Sequence, residues 1–160
     1  MTPQALTPAP CAIAISTGIS DSRNIPNDES TGTKNVNLGS YSISIGFDAL
    51  GSGTTATAVG AHTTATAERA TAIGRHANAT GTNSTAIGNG ATATKNCSLA
   101  IGNGYLGKNY LNQDILIHAP KAEHENSVAI GRGAKTTTDN QIVLGTRGGK
   151  VDNFDLKHYQ

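Results

Sequence analysis

Short runs of alternating small and aliphatic residues recur along the chain, and each run ends in a glycine. Seven such runs stand out, from SISIG near the N-terminal side to QIVLG near the C-terminal side. Their final residues are Gly46, Gly60, Gly74, Gly88, Gly102, Gly131 and Gly145. The first five glycines are 14 residues apart, the next interval is 29 residues and the last is again 14. The pattern indicates an internal repeat, and we expect the long interval to hold one further unit, DILIH from Asp114 to His118.

One period, NSTAIGNGATATKN, contains the signals of two short strands and two turns. A strand-like stretch ends at Gly88, the tight-turn dipeptide Asn89-Gly90 follows, ATAT has the pattern of a second strand, and a Lys-Asn pair turns back. No stretch shows the 3.6-residue periodicity of an amphipathic helix. The chain is therefore predicted to be all-β, a parallel β-roll of about eight coils over residues 41–146, stacked at the strand spacing.

Equivalent positions in successive periods form two apolar ladders. The residue before each glycine is aliphatic, in the series Ile45, Val59, Ile73, Ile87, Ile101, Ile130 and Leu144. The preceding residue is small in nearly every period, and the series includes Ala58, Ala72, Ala86, Ala100 and Ala129. Because neighbours in a strand face opposite sides, one ladder fills the thin interior and the other needs a cover, for which a second copy of the chain is the simplest source. The pattern leaves open which ladder faces inward.

The composition supports a thin fold. Hydrophobic residues make up 36% of the chain, aromatic residues 4% and charged residues 14%, too few large side chains for one thick core. The net charge of +1 without a basic stripe argues against nucleic acid. No apolar run has the length of a membrane helix, and CAIAI near the start is too short for a signal peptide. We expect Cys11 and Cys97 to be free thiols.

One glycine pattern suggests a nucleotide site on spacing alone. Gly102, Gly104 and Gly107 in SLAIGNGYLG match a dinucleotide-binding fingerprint. Such a site needs a helix directly after the glycines, and KNYLNQDILIHAP has no apolar helical face. Gly102 is instead the glycine of the repeat, and Gly104 corresponds to the turn residue Gly90. We expect no cofactor, and no residues fit a nucleophile, base and orienting group, so we expect no catalysis.

The repeats NSTAIGNGATAT, SLAIGNGYLG and NSVAIGRGAKTTTDNQIVLG resemble the head of trimeric autotransporter adhesins, the YadA-like head. The resemblance covers about Tyr41 to Thr146 and recurs in register. It implies a left-handed parallel β-roll, with three rolls packed around a threefold axis as a homotrimer. It also implies display on a surface and no enzymatic activity.

Two groups of polar residues are candidates for binding. His62 and His76 occupy the same turn position in adjacent periods, after Asp48 in the preceding one, and are expected to be neighbours. A two-histidine metal site is the alternative to an exposed turn ladder, and we favour the ladder, without metal. The stretch 105–126, with HAPKAEHEN as its largest departure from the repeat, is the candidate contact loop, and its residues are Tyr105, Tyr110, Lys121, Glu123, His124 and Glu125.

The ends of the chain differ from the repeats. Residues 1–40 are Pro-rich and polar, and we interpret them as an extended arm that docks on a capsid or fibre platform. Residues 147–160 resemble the neck that follows such heads. We recognise no export signal, coiled-coil stalk or membrane anchor, which favours the related use of the β-roll in phage and other viral fibres, spikes and capsid-decorating proteins.

The functional expectation is a structural protein of a virion surface, probed below against one alternative. It would be a trimeric capsid decoration or cement protein, or a spike-fibre head, that stabilises the particle and binds a host surface polysaccharide or protein receptor. The alternative is the head, or passenger, of a bacterial trimeric autotransporter adhesin that binds host matrix or receptors at the bacterial surface. Neither hypothesis involves insertion into a membrane.

Overall fold

The computed structural model describes residues 12–15, 38–108, 114–145 and 151–154. Within them every regular element is a strand. The strands are β1 Ile13–Ile15, β2 Ile43–Ile45, β3 Leu50–Gly51, β4 Thr57–Val59, β5 Thr64–Ala65, β6 Thr71–Ile73, β7 Asn78–Ala79, β8 Thr85–Ile87, β9 Thr92–Ala93, β10 Leu99–Ile101, β11 Tyr105–Lys108, β12 Asp114–Ile117, β13 Lys121–Ala122, β14 Val128–Ile130, β15 Ile142–Gly145 and β16 Val151–Phe154.

Two parallel sheets face each other along a solenoid of about six turns. The main sheet has the order β1-β2-β4-β6-β8-β10-β14-β15-β16, and the second sheet has the order β13-β9-β7-β5-β3. In the main sheet Thr57 pairs with Thr71, which pairs in turn with Thr85. A first turn leads from each main strand to the second sheet, and a second turn leads back. The prediction of an all-β parallel solenoid is confirmed.

The interior is lined by small side chains. The ladder Ala58, Ala72, Ala86, Ala100 and Ala129 is fully buried, and Ala65, Ala79, Ala93 and Ala122 face it from the second sheet. The sheets lie so close that the backbone N–H of Gly51 donates a hydrogen bond to Ser44 Oγ across the interior, at 2.8 Å. The small ladder therefore faces inward and the aliphatic ladder outward, because the gap between the sheets admits little more than alanine.

The turns rely on the left-handed region of φ. His62 and His76 hold the first turn of adjacent coils with φ of 54° and 55°. The glycine that ends each main strand is more constrained, because Gly88 has φ of +121° and a Cβ there would lie 2.0 Å from the carbonyl oxygen of Gly102. Only glycine avoids both the unfavourable conformation and the clash with the next coil.

The predicted DILIH unit does not join the stack, which corrects the expected count of about eight coils. Strand β12 instead pairs antiparallel with β11, and β10 pairs directly with β14 through Ala100 and Ala129. Alignment with the other runs would put Leu116 at the position of Ala100 and His118 at that of the glycine. The narrow interior and the glycine conformation exclude both, so this segment forms a hairpin outside the roll.

Residues after the hairpin return to the regular coil, which also corrects the expectation that HAPKAEHEN is irregular. The N–H of Thr92 donates to the carbonyl oxygen of Pro120 at 3.0 Å, just as the N–H of Asn78 donates to that of Ala91 at 2.8 Å. Pro120 is buried and therefore takes the place of an interior alanine. The departure from the repeat lies in residues 105–119, ahead of this point.

Each end of the main sheet carries one further strand. Strand β1 pairs parallel with β2, with Ile13 opposite Ile43 and Ile15 opposite Ile45, although the sequence assigned this segment to an extended arm. Strand β16 pairs antiparallel with β15. The proposed boundaries of arm, head and tail remain predictions. Among the described residues, no helix has the length and apolar character needed to cross a membrane.

Candidate assembly and contact surfaces

The outward side of the main sheet, here called the outer face, carries the aliphatic ladder. Ile73, Ile130 and Leu144 are 39%, 38% and 47% exposed, although each is a large aliphatic side chain. Ile45, Val59, Ile87 and Ile101 on the same face are half-buried. The other outward position of each main strand is also uncharged, in the series Ile43, Thr57, Thr71, Thr85, Leu99, Val128 and Ile142.

The outer face is therefore a continuous uncharged strip that runs the length of the stack. Single exposed aliphatic residues are common on soluble proteins, but a contiguous strip of this kind marks a surface that another molecule covers. At its N-terminal end the strip continues onto β1, where Ile13 and Ile15 are each 51% exposed.

Comparison with known families agrees with this architecture. The family model of the YadA head domain repeat, which contains two copies of the repeat, matches residues 52–77, 79–104 and 121–147. The interval between the last two matches contains the hairpin. The solenoid is a YadA-like head β-roll. The resemblance inferred from the repeats is thus confirmed, while a search of curated proteins finds no match for the chain.

A column of aromatic and acidic side chains follows the first turn of this YadA-like head. The rings of His62 and His76 stack with centroids 4.9 Å apart and planes 8° from parallel, which confirms that the two residues are neighbours. The edge of Phe47 contacts the His62 ring at a centroid distance of 5.1 Å, and His62 Nδ1 lies 3.3 Å from Asp48 Oδ2. Burial, the nearby Arg75 guanidinium and His62 together lower the pKa of His76.

The same column has limited capacity to chelate a metal. Two parallel imidazole rings direct their nitrogen lone pairs along parallel lines, whereas ligands of one ion must converge on it. No group of three or more His, Cys, Asp or Glu side chains in the described part of the chain is placed to hold a metal ion. The stacked pair is better described as a turn ladder whose rings stabilise neighbouring coils.

The base of the hairpin brings together residues that the sequence did not connect. The ring of Tyr105 stacks on His118 at a centroid distance of 5.8 Å, and the guanidinium of Arg132 lies 4.4 Å from the Tyr105 ring centroid. Tyr105 is still 42% exposed. The contribution of Arg132 was missed, although its place between Gly131 and Gly133 matches that of Arg75 after Gly74 and could have indicated it.

The remaining candidates of the contact loop lie at the other edge of the coil or at the second sheet. Lys121 is exposed on β13, and Glu123 Oε2 is 3.5 Å from Lys135 Nζ. His124 Nδ1 lies 3.1 Å from Thr136 Oγ1, and the N–H of Glu125 in the second turn donates to Asp139 Oδ1 at 2.9 Å.

The structure therefore divides the predicted contact loop into two surfaces, because Tyr105 belongs to the first-turn edge and Glu125 to the second-turn edge. Tyr110 lies outside the described residues. Cys97 is exposed at a second turn as a free thiol, whereas Cys11 also lies outside the described residues. The fingerprint residue Gly104 uses its N–H in the stack, where it donates to the carbonyl oxygen of Asn89 at 2.8 Å.

Proposed function

We propose that this chain forms a non-catalytic, adhesin-like trimeric head, in which three left-handed rolls built from 14-residue repeats pack through their outer faces. The exposed, uncharged outer face is the observation that supports the trimer. Its large aliphatic side chains need a cover along the whole stack, and a symmetric arrangement of identical copies supplies one for every coil.

The adhesin function is supported by the family of the repeats. A YadA-like head is a structural adhesin fold that is exposed at a surface. Its rigid stack of short coils presents two edges of exposed turns, and surfaces of this kind carry binding residues on a stable scaffold. We propose that these edges bind host matrix or a host receptor at the bacterial surface.

A virion protein is the second candidate. The same trimeric head would serve as a capsid decoration or fibre head of a phage-like virus, and the Pro-rich composition of residues 1–40 favours a docking arm of the kind such proteins need. The two candidates share the head and differ in the structure that displays it.

Light scattering coupled to size exclusion tests the trimer. We expect the mass of three chains for the wild type and of one chain for Ile73→Asp, because the substitution buries three carboxylates between the outer faces. Thr80→Asp is the matched control, since Thr80 is exposed just after β7 on the second sheet, and it should remain trimeric. A wild-type mass near one chain would refute the assembly.

Binding and location test the two functional candidates. The trimer should bind immobilised host matrix or host cells more strongly than the Ile73→Asp variant, through multivalency. Antibody labelling of intact bacteria and of purified, DNA-filled particles then separates the candidates. Label on the bacterial surface alone supports the adhesin, and label on the particles supports the virion protein.

A further inference from the structure

The hairpin of β11 and β12 is an addition to the repeating coil. Within the described residues these two strands form a sheet of their own, and neither pairs with a strand of the solenoid. The backbone register places Leu106 opposite Leu116 and Tyr105 opposite Ile117. Because consecutive positions of a strand alternate between faces, aliphatic residue types occur at positions on both faces of this hairpin.

A hairpin with this pattern is unstable without a partner. Two-stranded hairpins are marginally stable in water, and aliphatic residues on both faces add to the cost of leaving it exposed. The hairpin therefore needs a partner that is present whenever the protein is folded. A receptor that binds only occasionally does not meet this need, whereas another copy of the chain does.

The hairpin begins beside the outer face. Ile101 of the aliphatic ladder is followed by the first turn, and β11 starts at Tyr105. The base is held there by Arg132, which lies two residues after Ile130 of the same ladder and contacts the Tyr105 ring. The hairpin is thus continuous with the surface through which the copies are proposed to pack.

We propose that the hairpin of β11 and β12 clasps a second copy of this chain in the assembled head. The proposal rests on the trimer advanced above. It assigns residues of the hairpin to the contact between copies, so that each copy holds its neighbour both through the outer face and through this clasp.

The regularity of the coil provides a clean deletion. Pro120 takes the place of Ala91, so removal of residues 105–119 joins Gly104 to Pro120 in the same way that Gly90 precedes Ala91. The carbonyl oxygen of Asn103 would then accept from the Gly133 N–H in place of that of His118, since the Gly90 N–H donates to Arg75 in the same way. The coil is expected to close without the hairpin.

Analytical ultracentrifugation over a dilution series compares the two proteins. We expect the deletion variant to retain the circular dichroism of the roll but to dissociate at a concentration higher by at least about tenfold, the equivalent of one buried aliphatic side chain. Equal dissociation of the two proteins would overturn the clasp and leave the trimer intact. A wild type that is monomeric throughout would overturn the trimer itself.

Hydrogen exchange gives a second, independent readout on the full chain. Amides of Tyr105–Lys108 and Asp114–Ile117 should be protected in the assembled head and should lose protection in Ile73→Asp or in the wild type diluted below its dissociation concentration. Amides of Thr85–Ile87 serve as the control and should stay protected in every sample. Equal hairpin protection in assembled and dissociated protein would contradict the proposal. So would a deletion variant that keeps full trimer strength but loses binding to matrix, because the hairpin would then face a receptor.

Discussion

At the scale of single residues, the interior and the turns of this roll have little tolerance for change. Alanine fills most interior positions because the sheets approach closely enough for Ser44 Oγ to accept from the Gly51 backbone. The glycines that end the main strands combine positive φ with backbone contacts to the next coil. These positions could be recognised from the repeat, since a small residue and a glycine recur at them in nearly every period.

Replacement of Gly88 by alanine is expected to lower the thermal stability of the head. The alanine would carry a strained φ and a Cβ about where the Gly102 carbonyl oxygen lies, at a cost of about 1–3 kcal/mol or more. Gly133→Asn is the matched control, because its φ of +78° suits asparagine and its Cβ would find its nearest atom, His118 Nδ1, at 3.8 Å. Thermal melts at one protein concentration compare the variants, and an unchanged Gly88→Ala protein would contradict the argument.

Acidification is expected to destabilise the histidine ladder. The pKa of His76 lies below its ordinary value of 6.5 in the folded chain, so the unfolded chain binds the proton more readily. The stability associated with neutral His76 is therefore complete above pH 6.5 and decreases as the pH falls below it. His76→Asn keeps a residue that tolerates the left-handed φ and removes the titrating group.

Melting temperatures between pH 7.5 and pH 5.0, a range of about two and a half units around the pKa of free histidine, test this expectation. The wild type should lose more stability over the range than His76→Asn. Parallel curves for the two proteins would show that His76 does not contribute to the acid sensitivity.

At the scale of elements, pairing depends on whether a segment fits between its neighbours. The sequence correctly indicated the strands of the regular coils, because each carries the same alternation and the same turn residues. It misplaced DILIH, since apolar character at the right distance was taken as sufficient. The residue size required at the interior position and the conformation required at its last residue decided for the hairpin.

Strand β1 is expected to protect the N-terminal edge of the main sheet. The carbonyl oxygen of Ile15 accepts from the Gly46 N–H at 2.8 Å, and the Ile13 N–H donates to Ser42 at 2.9 Å. Deletion of residues 2–15 would expose the edge of β2 and promote end-to-end association, since free edges pair with other strands. Deletion of residues 2–11 is the matched control, because it leaves β1 in place.

Light scattering at increasing concentration distinguishes these deletions. The longer deletion should form assemblies larger than the wild type, and the shorter deletion should match the wild type. Identical masses for the two deletion variants would mean that β1 has no protective role at this edge.

At the scale of the whole molecule, the fold separates stability into two layers. The alanine interior buries small side chains with little area per residue, while the largest aliphatic residues stay on the outer face. Much of the apolar surface of this chain therefore becomes buried only when copies associate. Folding of the roll and assembly of the head should be thermodynamically linked.

The linkage predicts that the melting temperature of the wild type rises with protein concentration, since association stabilises the folded state by mass action. The Ile73→Asp variant should melt at a lower temperature that does not depend on concentration. Differential scanning fluorimetry across a hundredfold concentration range, about 2.7 kcal/mol of mass action per site, makes the comparison. A concentration-independent wild type would indicate that each roll is stable alone.

The sequence by itself determined the repeat, its turns and the two ladders, because strand alternation, turn dipeptides and glycine positions are local features that recur in register. Only the tertiary structure decided which ladder is interior, since both ladders are apolar and the choice depends on the distance between the sheets. It also decided the fate of Asp114–Ile117 and the pairing of Ile13–Ile15, because each depends on which partner strand offers a matching edge. Local patterns name the elements of this head, and the width of its interior selects among the ways they pack.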